Sequence, residues 1–459
     1  MDVRTGPVVP APGAPPATAK RPTFGQVLAY AAGNFPAGLV LLVLETWLMR
    51  LYCPSPDEVG RSLLVSPENF GRLSIPVLII GALADPLVGF VSDRTRSRLG
   101  RRMPYILVGT PLLALSFVLL WFPPVTHESL SNIIWLTAML TAVHVAFTVV
   151  VNPYLALMPE LWTDEGDRVR TSAWMTAFNA LSQIFAFGVL GMLIANFETG
   201  ADFLGLDLAD GYKIGAVVCG IVTFAFLVPT LLWIRETPHA ASKEVPFGLI
   251  EASVVTLRNP AFLPYIIAGS LLGAAQVLVV QTMPYLVRVV VGKGDDVAGY
   301  ILTGLVVLSA ALIPMAERLA RRFRKRDLFL AALVTFGVVL PITTLAGRLG
   351  VPALPHVIIC CAIIAPALAI GLVIPRAILA DIMDFDTERT GYRREAMYNG
   401  MEGLIQKIAM AVGFWAVGEL FGAFGFSAEE PWGIIFSGVA GGAMALLGAV
   451  AFWFYPLRK

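Results

Sequence analysis

Along this chain, stretches of about twenty consecutive apolar residues recur almost from end to end, separated by short polar connections. Each stretch is long enough to cross a bilayer core about 30 Å thick. The pattern predicts helices at about 25–52, 69–91, 104–123, 131–158, 171–196, 213–235, 259–287, 295–318, 328–347, 353–375, 397–424 and 432–455. An even number of spans puts both termini on one side of the membrane. The longest connection, "ETPHAASKEVPFGLIEASVVTLR" at 236–258, falls midway. The expected fold class is therefore all-α: a polytopic membrane protein of twelve transmembrane helices in two six-helix bundles. The domains read as a disordered tail at 1–22, an N-terminal bundle at 23–236, a linker at 237–258 and a C-terminal bundle at 259–459.

Composition agrees. Only 14% of the 459 residues are charged and 57% are apolar, against about 25% charged in soluble proteins. The net charge of +1 hides a strong segregation of charge. Residues 92–103 carry Arg94, Arg96, Arg98, Arg101 and Arg102, "RLARRFRKR" at 318–326 is as basic, and 376–396 adds Arg376, Arg389, Arg393 and Arg394. The alternate connections 124–130, 197–212 and 425–431 carry no Lys or Arg. By the positive-inside rule the basic loops and both termini are cytoplasmic, placing the chain in a cell (inner) membrane. The arginines also meet anionic lipid headgroups. Expected partners are membrane lipids and a small-molecule substrate, with no nucleic acid and a monomeric state. Cys53, Cys219, Cys360 and Cys361 lack metal-ligand spacing and read as reduced packing residues. No catalytic motif of the H-E-x-x-H or G-x-S-x-G kind occurs, the histidines are scattered, and an enzyme is not expected. No cofactor is expected beyond a sodium ion or a proton as coupling ion.

Ionisable groups at membrane depth cost about 2.5–3.5 kcal/mol on insertion scales and mark cavities or partners. Asp85, in "GALADPLVGFV", lies about 9 Å from the basic end of its helix at 1.5 Å per residue. Asn152, followed by Pro153 in the fourth helix, lies at similar depth. The two are candidates for a cation or proton coupling site. Lys407 sits near mid-membrane in the eleventh helix and is a cavity residue facing Asp85 or a substrate. Glu45, Glu402, Gln276, Gln281 and His144 complete the candidate cavity, with Arg50 as a structural partner for Glu45. Trp47, Trp121, Trp135, Trp233 and Trp432, near helix ends, read as an interfacial belt.

The connections carry a second set. "PELWTDEGDRVR" (159–170) is acidic, and "ADIMDFDTERTGYRREAMYNG" (380–400) mixes both signs. Arg94, Arg98, Arg101, Arg102, Glu160, Asp164, Asp381, Asp384 and Arg393 are candidates for cytoplasmic gating pairs that form in one state and break in another.

The segments "ALADPLVGFVSDRTRSRLGRRMPYILVGT", "NPYLALMPELWTDEGDRVR" and "ADIMDFDTERTGYRREAMYNG", with Lys407 following, resemble the glycoside–pentoside–hexuronide:cation symporters. This is the melibiose-permease-like branch of the major facilitator superfamily. The resemblance implies the major facilitator fold, alternating access, and a cation site from acids of the second and fourth helices. Here the helix 2 pattern keeps its second acid as Asp85 and has Gly81 at the first position. The helix 4 acid falls on Val151 or Asn152. The family's sugar-binding acid of helix 1 falls near Gly38 and its helix 5 arginine near Thr176. "LGRRMPYILVGTPLLALSFVLLWFPP" is also similar to the sodium–lysophospholipid symporter branch. The expected function is a secondary active, cation- or proton-coupled symporter for a sugar-like or amphipathic organic solute. The alternatives are a lysolipid-type transporter or uncoupled facilitator of the same fold and, in another class, a non-transporting sensor or assembly factor.

Overall fold

The computed structural model describes residues 22–456 apart from 59, 163, 198–200, 204–205, 209, 237–255 and 391–394. The expected linker at 237–258 and Arg393 therefore lie wholly or largely outside the described residues, as does the tail. Among the described residues, eleven helices are long and apolar enough to span a membrane, and a bent pair raises the number to twelve.

These are α1 (Phe24–Tyr52), α2 (Pro67–Arg94), α3 (Met103–Leu120), α4 (Leu130–Leu161), α5 (Glu165–Asn196) and α6 (Gly211–Trp233) in the first half. The second half holds α7 (Phe262–Val291), α8 (Asp295–Ala311 with Ile313–Arg322), α9 (Lys325–Thr344), α10 (Ala353–Thr390), α11 (Glu395–Phe424) and α12 (Trp432–Trp453). Helix starts follow sequence signals. Thr23 closes a capping box with Gln26, and Asp164 and Asp210 accept backbone N–H groups at the starts of α5 and α6. Two short antiparallel strands, β1 (Ala201–Phe203) and β2 (Leu206–Leu208), sit between α5 and α6, a small addition to the all-α reading.

Three stretches read as loops are helical. Residues 376–390 continue α10, Glu165–Arg170 begin α5, and Arg318–Arg322 belong to α8. Hydropathy sees where a helix leaves the apolar layer, whereas its hydrogen bonding continues into water. Asp381 and Asp384 thus lie on a helix. The α8 axis bends by 44° beside Pro314, whose missing N–H and ring oppose a straight continuation.

The two halves meet along α2–α11 and α5–α8, and α1 touches α7. Small residues set how close they come. A Cβ on Gly418 of α11 would lie 2.9 Å from the Gly71 Cα of α2 and would strike the Pro67 carbonyl. Gly418→Ala should therefore force these helices apart at a cost of about 1–3 kcal/mol. Thermal unfolding of the purified protein should show a fall of several degrees.

The contact at this end, opposite the basic one, is also polar. Arg50 at the end of α1 is fully buried and pairs with Glu58 and, at 3.4 Å, with Asp295 at the start of α8. The Tyr212 hydroxyl of α6 donates to Asp295 at 3.0 Å, and the Arg50 guanidinium lies 5.0 Å from the Tyr285 ring centre of α7. Tyr285 donates to the Cys53 carbonyl at 2.7 Å, and the Ala428 N–H donates to Asp57 at 2.6 Å. Arg50 is therefore not the partner of Glu45. It sits on the same helix five residues on, and the turns between aim it across the interface at Asp295. Trp47 and Trp121 are likewise not interfacial, being 0% and 1% exposed. Their rings fill the packed interior, and Trp47 donates to the Ala186 carbonyl of α5 at 2.8 Å. Trp233 and Trp432 do face outward, at 60% and 48% exposed.

Candidate transport site

Three helices converge on Asp85. It lies on α2 just before Pro86, which removes one backbone donor from the helix interior. On α4, Thr148 and Asn152 are four residues apart and so share a face. The Thr148 hydroxyl donates to Asp85 Oδ1 at 2.8 Å, and the Asn152 amide donates to the same oxygen at 3.1 Å. The other oxygen, Oδ2, pairs with the Lys407 ammonium of α11, from the opposite half. Both charged side chains are 29% exposed, so neither is sealed in packing. Asp85, Asn152 and Lys407, picked separately from the sequence, form one constellation. Thr148 was missed, although its place one turn before Asn152 was the available signal.

Every neighbour named here donates a hydrogen to Asp85. Such a set holds a carboxylate, and the ammonium takes the place a metal cation would need.

One turn beyond, α2 presents Gly81 to His144 of α4, with a Cβ at Gly81 falling 3.4 Å from the His144 Cβ. His144 lines a small cavity bounded by α1, α2, α4 and α11. Its walls are apolar, formed by leucines of α1, Phe70, Leu140, Met410 and Phe414, and Glu45 is the other ionisable group in them. Glu45 stands in a stretch of π-helix, Leu44–Leu48, where the wider turn puts one extra residue on the cavity side. Thr46 accommodates that turn by donating to the Leu42 carbonyl at 2.7 Å.

The other candidates lie elsewhere. Glu402 accepts from Tyr265 of α7 at 2.6 Å, inside the second half. Gln276 is half-buried on α7, and Gln281 is fully buried there with neither amide atom hydrogen-bonded. Arg101 and Arg102 pair with Glu160 at 2.6 and 3.1 Å, and Glu236 accepts the Arg102 backbone N–H at 2.8 Å. Lys325 pairs with Asp381 at 2.7 Å. These ion pairs of the basic end each join residues of one half. Asp164 caps α5, Arg94 stacks on Phe90, and Arg98 and Asp384 are exposed. Among the described residues, ion pairs that bridge the halves include the buried Arg50 network and Arg72–Glu419 at 2.6 Å, both at the opposite end, and Lys407–Asp85.

Gly38, where the resemblance puts a sugar-binding acid, is buried where α1 meets α5. A Cβ there would lie 2.6 Å from the Asn179 amide and would strike the Ser182 hydroxyl. Helix packing fills the space an acid would need.

Two helical halves that meet about a polar centre and are bridged by ion pairs at the end opposite the basic one have the architecture of a major facilitator transporter. The chain belongs to the MFS/sugar transport protein family, whose model matches residues 29–459. It is 23% identical to the glucuronide carrier protein homolog of Escherichia coli K12 over 95% of this chain and 93% of that one. It is also 23% identical to the sphingosine-1-phosphate transporter MFSD2B of Xenopus tropicalis, over 83% and 79% of the two chains. The crystal structure of a D-xylose-proton symporter superposes with a TM-score of 0.68 at 14% identity, covering 95% of this chain and 98% of that one. The resemblance to the glycoside–pentoside–hexuronide symporters is upheld, and the protein is a multi-pass secondary transporter working by alternating access. The readings as an uncoupled facilitator or a sensor are not favoured.

Proposed function

We propose that this protein couples solute movement to protons through Asp85, acting as a monomer in the cell membrane with both termini and the basic end in the cytoplasm. The observation that carries this is the bridge from Asp85 of one half to Lys407 of the other, partly exposed and backed by Thr148 and Asn152. A proton reaching Asp85 removes the charge that holds Lys407. The mid-membrane tie between α2 and α11 is then released, and the halves are free to rock. A sugar is supported by the carrier relatives; the apolar walls and the close packing at Gly38 support a solute with a substantial apolar body.

Reconstitution tests this. In proteoliposomes, an imposed pH gradient should drive uphill uptake of a solute first found by ligand-induced thermal stabilisation. A sodium gradient of equal size, at uniform pH, should give less than about a tenth of that accumulation. Equal accumulation from sodium alone would remove the proton from the proposal.

A further inference from the structure

We propose that Glu45 and His144 make the cavity a seat for an amphipathic organic cation, with the ammonium group of the substrate against the Glu45 carboxylate. This deepens the transport reading by naming the substrate class of its cavity, and it rests on that reading.

The cavity lies between α1, α2 and α4 of one half and α11 of the other, so it widens as the halves rock apart. Its walls give an apolar body a place to lie, and Phe70 and Phe414 give aromatic faces that attract a cation. Among the described residues, no hydrogen bond or ion pair to the Glu45 carboxylate is found, because its one plausible basic neighbour, Arg50, is committed to Glu58 and Asp295. An ionised carboxylate in such surroundings is costly until a counter-charge arrives. A proton can supply that, and so can an ammonium carried by a ligand whose remaining atoms bury apolar surface. Only the second uses the rest of the cavity.

The arrangement also sets a direction for pH. A cation competes with protons for Glu45, which shares the cavity with His144 of α4. Asp85 of α2 and Lys407 of α11, one turn farther toward the basic end, neutralise one another while paired. Affinity for an organic cation therefore rises with pH, and affinity for an uncharged analogue of the same size does not.

Calorimetric titration of the purified protein in detergent tests this with benzyltrimethylammonium and the similarly sized, uncharged N,N-dimethylbenzamide. At pH 8 the cation should bind at least about tenfold more tightly than the amide. Glu45→Gln should erase the difference, Glu45→Asp should keep part of it, and lowering the pH to about 5.5 should weaken the cation alone. Equal binding of the two probes by the native protein overturns the proposal, as does a preference that survives Glu45→Gln. Should Glu45→Gln not elute as a monodisperse species, the pH titration of the native protein decides, and a pH-independent preference overturns it. Equilibrium binding needs no gradient. Loss of coupled uptake in an Asp85 variant that retains the cation preference therefore strikes at transport, and loss of the preference with uptake intact strikes at the substrate class.

Discussion

Asp85→Asn is expected to reduce gradient-driven accumulation to the equilibrium level while exchange of substrate across the membrane continues. One pH unit supports about tenfold accumulation per coupled proton, so the native protein should approach that ratio and the variant should stay near one. The amide keeps the shape and can still meet Thr148, but it cannot take up and give back a proton. It also leaves Lys407 without its counter-charge, in a site only 29% exposed. Both side chains are partly exposed, so stranding Lys407 costs less than the about 3–5 kcal/mol of a fully buried pair. Lys407→Gln added to Asp85→Asn should therefore recover thermal stability without recovering uphill transport. Proteoliposome uptake and counterflow, measured side by side, separate the two effects. Uphill uptake at the native level in Asp85→Asn would end the coupling role.

Arg50→Met should unlock the end of the molecule opposite the basic loops. Arg50 ties α1 to α8 through Asp295 with both side chains almost wholly buried, and its loss strands Asp295 and leaves Glu58 with Arg61 at 3.5 Å. Water reaches them when the two halves separate, so the variant should favour the state open at that end by about 3–5 kcal/mol, more than a hundredfold in population. Cys53 reports the change. It is a free thiol, fully buried beside this lock, with its carbonyl held by Tyr285. A maleimide should label it at least about tenfold faster in Arg50→Met than in the native protein, and neutralising Asp295 and Glu58 as well should slow labelling again. Unchanged labelling would make the network a structural filling of the interface rather than a lock.

The sequence by itself determined the solvent of this protein and most of its architecture. Twenty-residue apolar runs leave a backbone no option in a bilayer but to satisfy itself within a helix, and connections rich in Lys and Arg alternating with connections that lack them predict an orientation. Residue types too expensive to bury idly, such as Asp85 and Lys407, could be picked out from depth alone. Their meeting could not. They are 322 positions apart, on helices of different halves, and no local period says which face of α2 turns toward α11. Arg50 shows the same limit from the other side: the nearest acid along its own helix was the reasonable partner, and the fold chose Asp295 and Glu58 instead. The helix extensions past the membrane, the π-turn that swings Glu45 into the cavity and the packing that excludes an acid from Gly38 were likewise decided by tertiary structure. Each depends on distances of a few ångström between segments that hydropathy treats as independent.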